Sequence, residues 1–558
     1  MRRVLIVTLT LTLAVGCGRE TRAPQSTNTA VDDNTPQDGG TLIRRLPADV
    51  ATLNPVIPTS RYDRLVMNYI FTPLVALDID LKPSPGLATN WDISADGLDY
   101  VFHLDPKATF SDGTPVRASD VLFTFKKIVD PTTEAAQVAA GFDRIDMTRT
   151  RVIDDHTIAV GFKEAFAPQL TKFNDVLVMP EHVYSKGDFK SGYNFNAIGS
   201  GPYKLVRRVA EQEIVLERRE DYWTRKPYLK TVIFKPIIDF NTGWNALKRG
   251  DIDESELTSD IWMMNSTRPE LQKDIDFRRF YYLSVNTIAW NNRGAILSDK
   301  RVRRALAQCV DLKSVINNLY HGTARAMNGP FTPDQWAYNP TVPVIEFDPV
   351  AAQHALNSIG WLDTDHDGVL DKDHKPLKID LLIFTGNPSS QQFGQLLQSE
   401  LKKIGVVMTL TPMEPTALIQ RILAGNYDSA YLSWDLDPDP DPYGLLHSSQ
   451  WPPHGQNVVF YKNPETDALI DAGRKEFNQS KRADIYRKLH EIAAADQPYT
   501  WTLQVSVKWG INKRVRGVKE SKGWGLFLWY PGEFDWWIPA SKRTHDAPAP
   551  APGTPQPR

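Results

Sequence analysis

The chain has 558 residues, 41% of them hydrophobic and 23% charged, an ordinary balance for a globular protein. That length exceeds what one hydrophobic core can serve, so two or more lobes are expected. A formal charge of -3 with no long basic run argues against nucleic acid as the main partner.

The N-terminus opens "MRR", followed by an apolar run of 12 residues from Val4 to Val15. Such a run suits an export signal and falls short of the ~20 residues a membrane-spanning helix needs. It ends in "LAVGCG", with small residues directly before Cys17. The pattern resembles a bacterial lipoprotein signal, in which the cysteine is lipidated and becomes the new N-terminus. Ala14 departs from it, standing where that signal usually has leucine. Cleavage before Cys17 would also remove Arg2 and Arg3, leaving a more acidic mature body. The only other cysteine, Cys309, falls on the apolar side of a helix with Val302, Ala305 and Leu306. One lipidated cysteine and one core thiol fit better than a disulfide framework.

Residues 18–39 are polar and lack periodic apolar positions, so they read as a disordered tether. The folded body then runs over roughly residues 40–540, and the Pro-rich end "APAPAPGTPQPR" is a tail. Within the body, "DYVFHLD" alternates like a strand and "SDGTP" follows it as a turn. "KLVRRVAEQEIVLERREDYW" reads as two strands and a turn. A helix starts near Asp299, and a second starts with Asp311 as N-cap.

From Pro349 the pattern is clearest. "PVAAQHALNSIGW" is helical, "LKIDLLIFTG" is an apolar strand, and "SSQQFGQLLQSELKKIG" is a helix with Phe393, Leu397, Leu401 and Ile404 on one face. Gly405 stops it, and "VVMTLTP" returns as a strand. This βαβ unit implies an α/β fold with a parallel sheet. A further helix, "TALIQRILAG", leads to the strand "YDSAYLSW", which is expected to end at Trp434.

Between the first helix and strand of this block lies "DTDHDGVLDKDH". Asp363, Asp365, Asp367 and Asp371, with Gly368 at the sixth place, match a calcium loop. His374 stands at the twelfth place and cannot supply the bidentate glutamate. A strand rather than a helix follows, so a structural turn is the favoured reading and calcium the alternative. No other cofactor is expected.

The segment after Trp434 is "DLDPDPDPYG". Open α/β sheets bind ligands where loops leave the carboxyl ends of their strands. Asp435, Asp437, Asp439 and Asp441 crowd together there, and carboxylates that close repel unless cations or donors neutralise them. Trp434 and Tyr443 flank them with flat apolar surface, so the loop would suit an amino group on an extended, partly apolar ligand. A solvated, Pro-stiffened surface loop is the bland alternative.

"GGTLIRRLPADVATLNP", "LKPSPGLATNWDISADGLDYVFHLDPKATFSDGTPVRASDVLFTF", "GSGPYKLVRRVAEQEIVLERREDYW", "SDKRVRRALAQCVDLKSVI" and "NPETDALIDAGR" occur in this order. Together they resemble the extracellular solute-binding proteins, family 5, that serve oligopeptide-, dipeptide- and nickel-type ABC transporters. The resemblance covers about residues 39–535. It implies a two-lobed clamp of the periplasmic-binding-protein class II type with an extra inserted domain. The corresponding division is residues 1–17 signal, 18–39 tether, 40–70, 181–285 and 509–540 domain I, 71–180 domain II, 286–508 domain III, and 541–558 tail.

The resemblance further implies capture of a peptide-like solute outside the cytoplasmic membrane and its delivery to permease subunits with a separate ATPase. The protein would be a monomer held at the periplasmic or cell-surface side by lipid on Cys17. In peptide-binding members an aspartate after a tryptophan-ended strand anchors the ligand's α-amino group. That makes Asp437 the first choice, with Asp435 and Asp439 still open. A first-domain loop corresponding to Pro58–Tyr62 nominates Thr59 and Ser60 as contacts to ligand backbone. Dipeptide binders also hold the ligand carboxylate with an arginine that "IFTGNPSSQ" lacks, which argues against a short-peptide specialist and leaves longer peptides, modified peptides or sugars. A ligand sensor or chaperone on the same clamp is the second reading. A glycosidase-type hydrolase is a third, but no G-x-S-x-G, H-E-x-x-H or P-loop supports an enzyme.

Overall fold

The computed structural model describes residues 33–192, 196–520 and 529–544. The segment ending at Cys17, most of the tether and the end of the tail lie outside the described residues. No helix among the described residues is long and apolar enough to cross a membrane.

One sheet of 12 strands runs through the molecule. Its first half is built on Thr41–Leu46, which pairs in parallel with Thr231–Pro236 and Glu254–Glu256. Thr231–Pro236 is antiparallel to Glu213–Arg218, which forms a hairpin with Tyr203–Val209, as the sequence pattern predicts. The second half is the βαβ-rich lobe. Lys378–Phe384 and Val407–Met413 are parallel, joined by the helix Pro388–Lys403. Ser429–Asp435 extends the sheet in parallel and is antiparallel to Ser284–Trp290.

The two halves share a 14-residue strand, Tyr499–Asn512. Its start pairs with Ser284–Trp290 and its end with Ile275–Tyr281 and Glu254–Glu256. The chain therefore crosses between lobes twice side by side, at Tyr282–Leu283 and near Gln504–Val505. Gln504 Nε2 donates to the Tyr282 carbonyl at 2.6 Å and ties the two crossings together. The strand passes residue 508 without a break and has already changed pairing partners by Ser506.

Local chemistry explains these elements. Asn387 caps the helix Pro388–Lys403, whose first residue is a proline that needs no donor there. Gly405, at φ +77°, takes the left-handed turn that ends it. Asp299 and Asp311 cap their helices as expected, although the second is a single short turn, Leu312–Ser314, continued by a wider one to Leu319. Leu381 and Ile383 pack into one core, and Leu382 between them packs into another on the opposite face. A parallel strand covered on both faces has no solvent side, which is why its second half, Leu381–Phe384, is an unbroken apolar run.

A separate four-stranded antiparallel sheet, Ala88–Ile93, Asp99–Leu104, Thr157–Phe162 and Ile145–Asp154 in spatial order, forms the inserted part. Phe102 and Phe173 meet edge to face at 4.6 Å in its aromatic core. The C-terminal segment is held to the first half by buried charge: Arg514 Nη2 donates to Asp253 at 2.8 Å, and Arg44 Nη1 donates to Glu533 at 3.4 Å.

Candidate functional site

The strand Ser429–Asp435 ends one residue later than the sequence suggests, because Asp435 still pairs in register with Ser284. Ser284 directly follows the lobe crossing, so the aspartate-proline loop leaves the sheet at the junction of the lobes. Prolines at 438, 440 and 442 remove backbone donors and prevent further pairing.

The four aspartates meet four different environments. Asp437 accepts from Lys172 Nζ at 2.8 Å, and both line the same cavity although they lie 265 positions apart in the chain. Burial opposes the Lys172 charge, but Asp437 and Asp175 outweigh it and raise the ammonium's pKa. Asp439 pairs with Arg482 at 2.9 Å, and Arg482 also donates to the Pro440 carbonyl. Asp441 lies 3.2 Å from Arg474 and accepts from the Tyr443 amide. The Asp435 carboxylate makes no hydrogen bond or ion pair among the described residues. Surrounding protein raises its carboxyl pKa, partly offset by the charge of Arg61, although solvent still reaches the side chain.

A cavity of about 440 Å³ lies here, between segments near residues 140–172 and 434–474. Arg144, Phe166 and Lys172 line it from one side, and Trp434, Asp435 and Tyr443 from the other. Its volume is in the range of small-ligand sites. The Arg474 guanidinium stacks 3.7 Å from the Tyr443 ring centre and 4.7 Å from that of Phe166, bridging both sides. The Ala167 amide donates to the Arg474 carbonyl at 2.7 Å across the same gap. Gly97, at φ +69°, lies against Phe477, and a Cβ there would come within 2.4 Å of the ring. The lobes are therefore in direct contact around the cavity.

The other sequence-nominated residues fall elsewhere. The Thr59 hydroxyl donates to Asp63 at 2.8 Å, and the Ser60 hydroxyl accepts from the Asp63 amide, capping the helix Arg61–Ile70. Both hydroxyls are thus engaged in holding that helix start, with Arg61 directly following. Asp363, Asp365 and Asp367 bring carboxylate oxygens within 4.8 Å of one another. Asp371 is outside that cluster, because its carboxylate accepts from the Thr364 amide and hydroxyl. The three clustered carboxylates accept from the loop's own amides of Gly368, Asp367 and Val369, which is how an acidic turn satisfies its backbone. Cys17 lies outside the described residues. Cys309 is fully buried, and burial pushes its thiol up to about 12.

Sequence reasoning missed Lys172, Arg144, Phe166, Arg482 and Arg61. Arg474 stood within a quoted motif without a role. Only Arg61 had a usable signal, its position after the nominated Thr59 and Ser60.

A family model for bacterial extracellular solute-binding proteins, family 5 Middle, matches residues 82–456. The chain is 27% identical over 498 residues to the oligopeptide-binding protein AppA of Bacillus subtilis, covering 87% of this chain and 90% of that one. It is 26% identical over 464 residues to the nickel-binding periplasmic protein of Escherichia coli, covering 80% and 86%. Among solved structures, Bacillus subtilis AppA in complex with a nonapeptide matches with a TM-score of 0.75 at 25% identity, covering 90% of this chain and 100% of that one. The substrate-binding protein CtaP of Listeria monocytogenes matches with a TM-score of 0.77 at 25% identity, covering 90% and 100%.

Proposed function

The chain belongs to the bacterial extracellular solute-binding proteins, family 5, and on that premise we propose that it captures peptide-like solutes for an ABC importer and hands them to the permease. The observation that carries the reading is the cavity between the lobes, with one uncompensated carboxylate, Asp435, beside Trp434. An ammonium group fits that carboxylate, which has lost part of its hydration and has no cation of its own. Trp434 and Tyr443 offer apolar walls to the adjoining residues of the ligand.

The same cavity supports one reading of the Asp-Pro repeat. Asp435 takes the ligand, Asp437 joins the lobes through Lys172, and Asp439 and Asp441 hold the loop to Arg482 and Arg474. Thr59 and Ser60 set the helix start that presents Arg61. Domains I and II form one lobe and domain III the other. Closure is an equilibrium about the paired crossings, shifted by a ligand that binds the closed form better. The acidic turn at Asp363–Asp371 is a structural element of the outer lobe. Lipid on Cys17 and the polar tether would hold a monomeric body at the outer side of the membrane, and the ATPase would be a separate subunit.

The test is identification of ligand by mass spectrometry after gentle purification and denaturation, followed by thermal-shift screening of peptide pools. Asp435→Asn is expected to weaken binding of the selected peptide about tenfold or more, as for a lost charge-assisted pair. Asp437→Asn should weaken it less. No released ligand and no shift with any pool would remove the binding reading. Equal losses in both variants would remove the assignment of Asp435.

A further inference from the structure

The two ends of the folded body meet on one face of the molecule. The Ala540 amide donates to Gln37 Oε1 at 2.7 Å, and Arg543 Nη2 donates to the Asp38 carbonyl at 2.7 Å. Lys542, between those contacts in the chain, lines a hollow of about 500 Å³. Lys273, directly after the helical turn Pro269–Gln272, lines it too, as do Lys513 and Arg516, which follow the long strand Tyr499–Asn512. All four residues are exposed. Lys513 Nζ donates to the Gln272 carbonyl, a neutral acceptor. Among the described residues, the side chains of Lys273, Arg516 and Lys542 meet no hydrogen-bond acceptor. The two arginines beside them are already neutralised: Arg249 pairs with Asp251 at 2.7 Å and Arg514 with Asp253 at 2.8 Å. That leaves Asp274 as the one other carboxylate among the described residues lining the hollow. Four cations thus face one carboxylate, on a chain whose formal charge is -3. Like charges gathered on one face repel unless an anion lies against them.

Building on the anchored placement proposed above, we infer that this basic face docks on the anionic headgroups of the membrane that holds the tether. Residues 18–35 join Cys17 to the point where Gln37 and Ala540 meet. A polar chain of that length would span roughly 25 Å as a coil and about 65 Å at full stretch. A body held that close meets the surface far more often than one in free solution. Basic residues beside an anionic bilayer each add to an attraction that fades within a Debye length. Three of the four cations are lysines, hydrated point charges on long stems, which suit a plane of hydrated phosphates better than the forked grip on one small anion. Docking there sets the exit of the tether against the bilayer and gives the body one preferred orientation.

Residues 18–558 keep the whole compact unit that begins at Pro36 and carry neither signal nor lipid. This chain is sedimented at low ionic strength with vesicles of phosphatidylcholine, and with vesicles that also contain phosphatidylglycerol. Partitioning should be about tenfold or more stronger on the anionic vesicles and should fall as salt is added. The variant Lys273→Gln, Lys513→Gln, Arg516→Gln, Lys542→Gln should drop to within about twofold of the neutral-vesicle level. The variant Lys375→Gln, Lys378→Gln, Lys402→Gln, Lys403→Gln removes the same charge from exposed positions of the βαβ-rich half and should keep the preference. Melting curves check that both variants fold. Equal binding to the two vesicle types, or equal losses in the two variants, would overturn the docking surface. Competition by inorganic phosphate at matched ionic strength would make the hollow a small-anion site and overturn it as well. Mass spectrometry of the N-terminus of protein purified from membranes tests the anchor separately. An unlipidated Cys17 would remove the anchored placement, while the vesicle result still decides the basic face.

Discussion

Lys172→Met tests whether contact across the cleft holds the lobes together. The substitution keeps the apolar stem of the side chain and removes only the ammonium that meets Asp437 at 2.8 Å. The Lys172 side chain is 20% exposed and that of Asp437 39%, so the pair lies between two known regimes. Exposed ion pairs contribute roughly 0.2–1 kcal/mol, and breaking a buried one costs roughly 3–5 kcal/mol. A value of about 1–2 kcal/mol follows, and it stabilises only the closed form. The ratio of open to closed molecules should then rise roughly 5- to 30-fold. Single-molecule energy transfer between dyes at Lys107→Cys and Lys475→Cys, in a Cys17→Ser background, reads this ratio directly. Cys309 can stay, because its buried thiol is unreactive. The double variant Lys172→Met, Asp437→Asn should recover part of the closed population, since it removes the carboxylate left without a partner. Unchanged populations in Lys172→Met would refute the latch, whatever the ligand.

Other outcomes follow from the same structure. His490 is buried between Asn328 and the Asn339 amide, and burial lowers its pKa to about 4 from 6.5. Its neutral form is the folded one, so its contribution is complete above pH ~6.5 and is lost as pH falls toward ~4, by about 3 kcal/mol at most. Denaturant titrations from pH 7 to pH 4 should show this slope in the parent and a shallower one in His490→Gln. Asp253→Ala should cost roughly 3–5 kcal/mol by leaving the buried Arg514 charge uncompensated, read by the same titrations. Cys309 should resist a thiol-reactive dye in the native protein and label fully in denaturant, whereas native labelling would contradict its burial. Added calcium should leave the melting temperature of the parent and of Asp365→Ala alike, and a rise confined to the parent would make the acidic turn a metal site.

Periodicity in the sequence was enough for the βαβ unit, because the run Lys378–Phe384 and the Phe393–Leu397–Leu401 face each need a partner surface to bury. The quoted motifs, in order, implied the two-lobed clamp. The alternating aspartates after Trp434 drew attention to a loop that lines the cavity, for a local reason: carboxylates that close repel one another. Which aspartate stays free was decided only by the tertiary structure. Lys172 is 265 positions from Asp437 and Arg482 is 43 from Asp439, yet each sits within hydrogen-bond reach. The nominated hydroxyls of Thr59 and Ser60 are taken up locally by Asp63, a few residues on, which caps an otherwise unsatisfied helix start. Apolar pattern and caps act over a few residues and can be read along the chain. Charge pairing acts through space over a few ångströms, so it exists only once folding has brought Arg144, Lys172 and Arg474 to the rim of the same cleft.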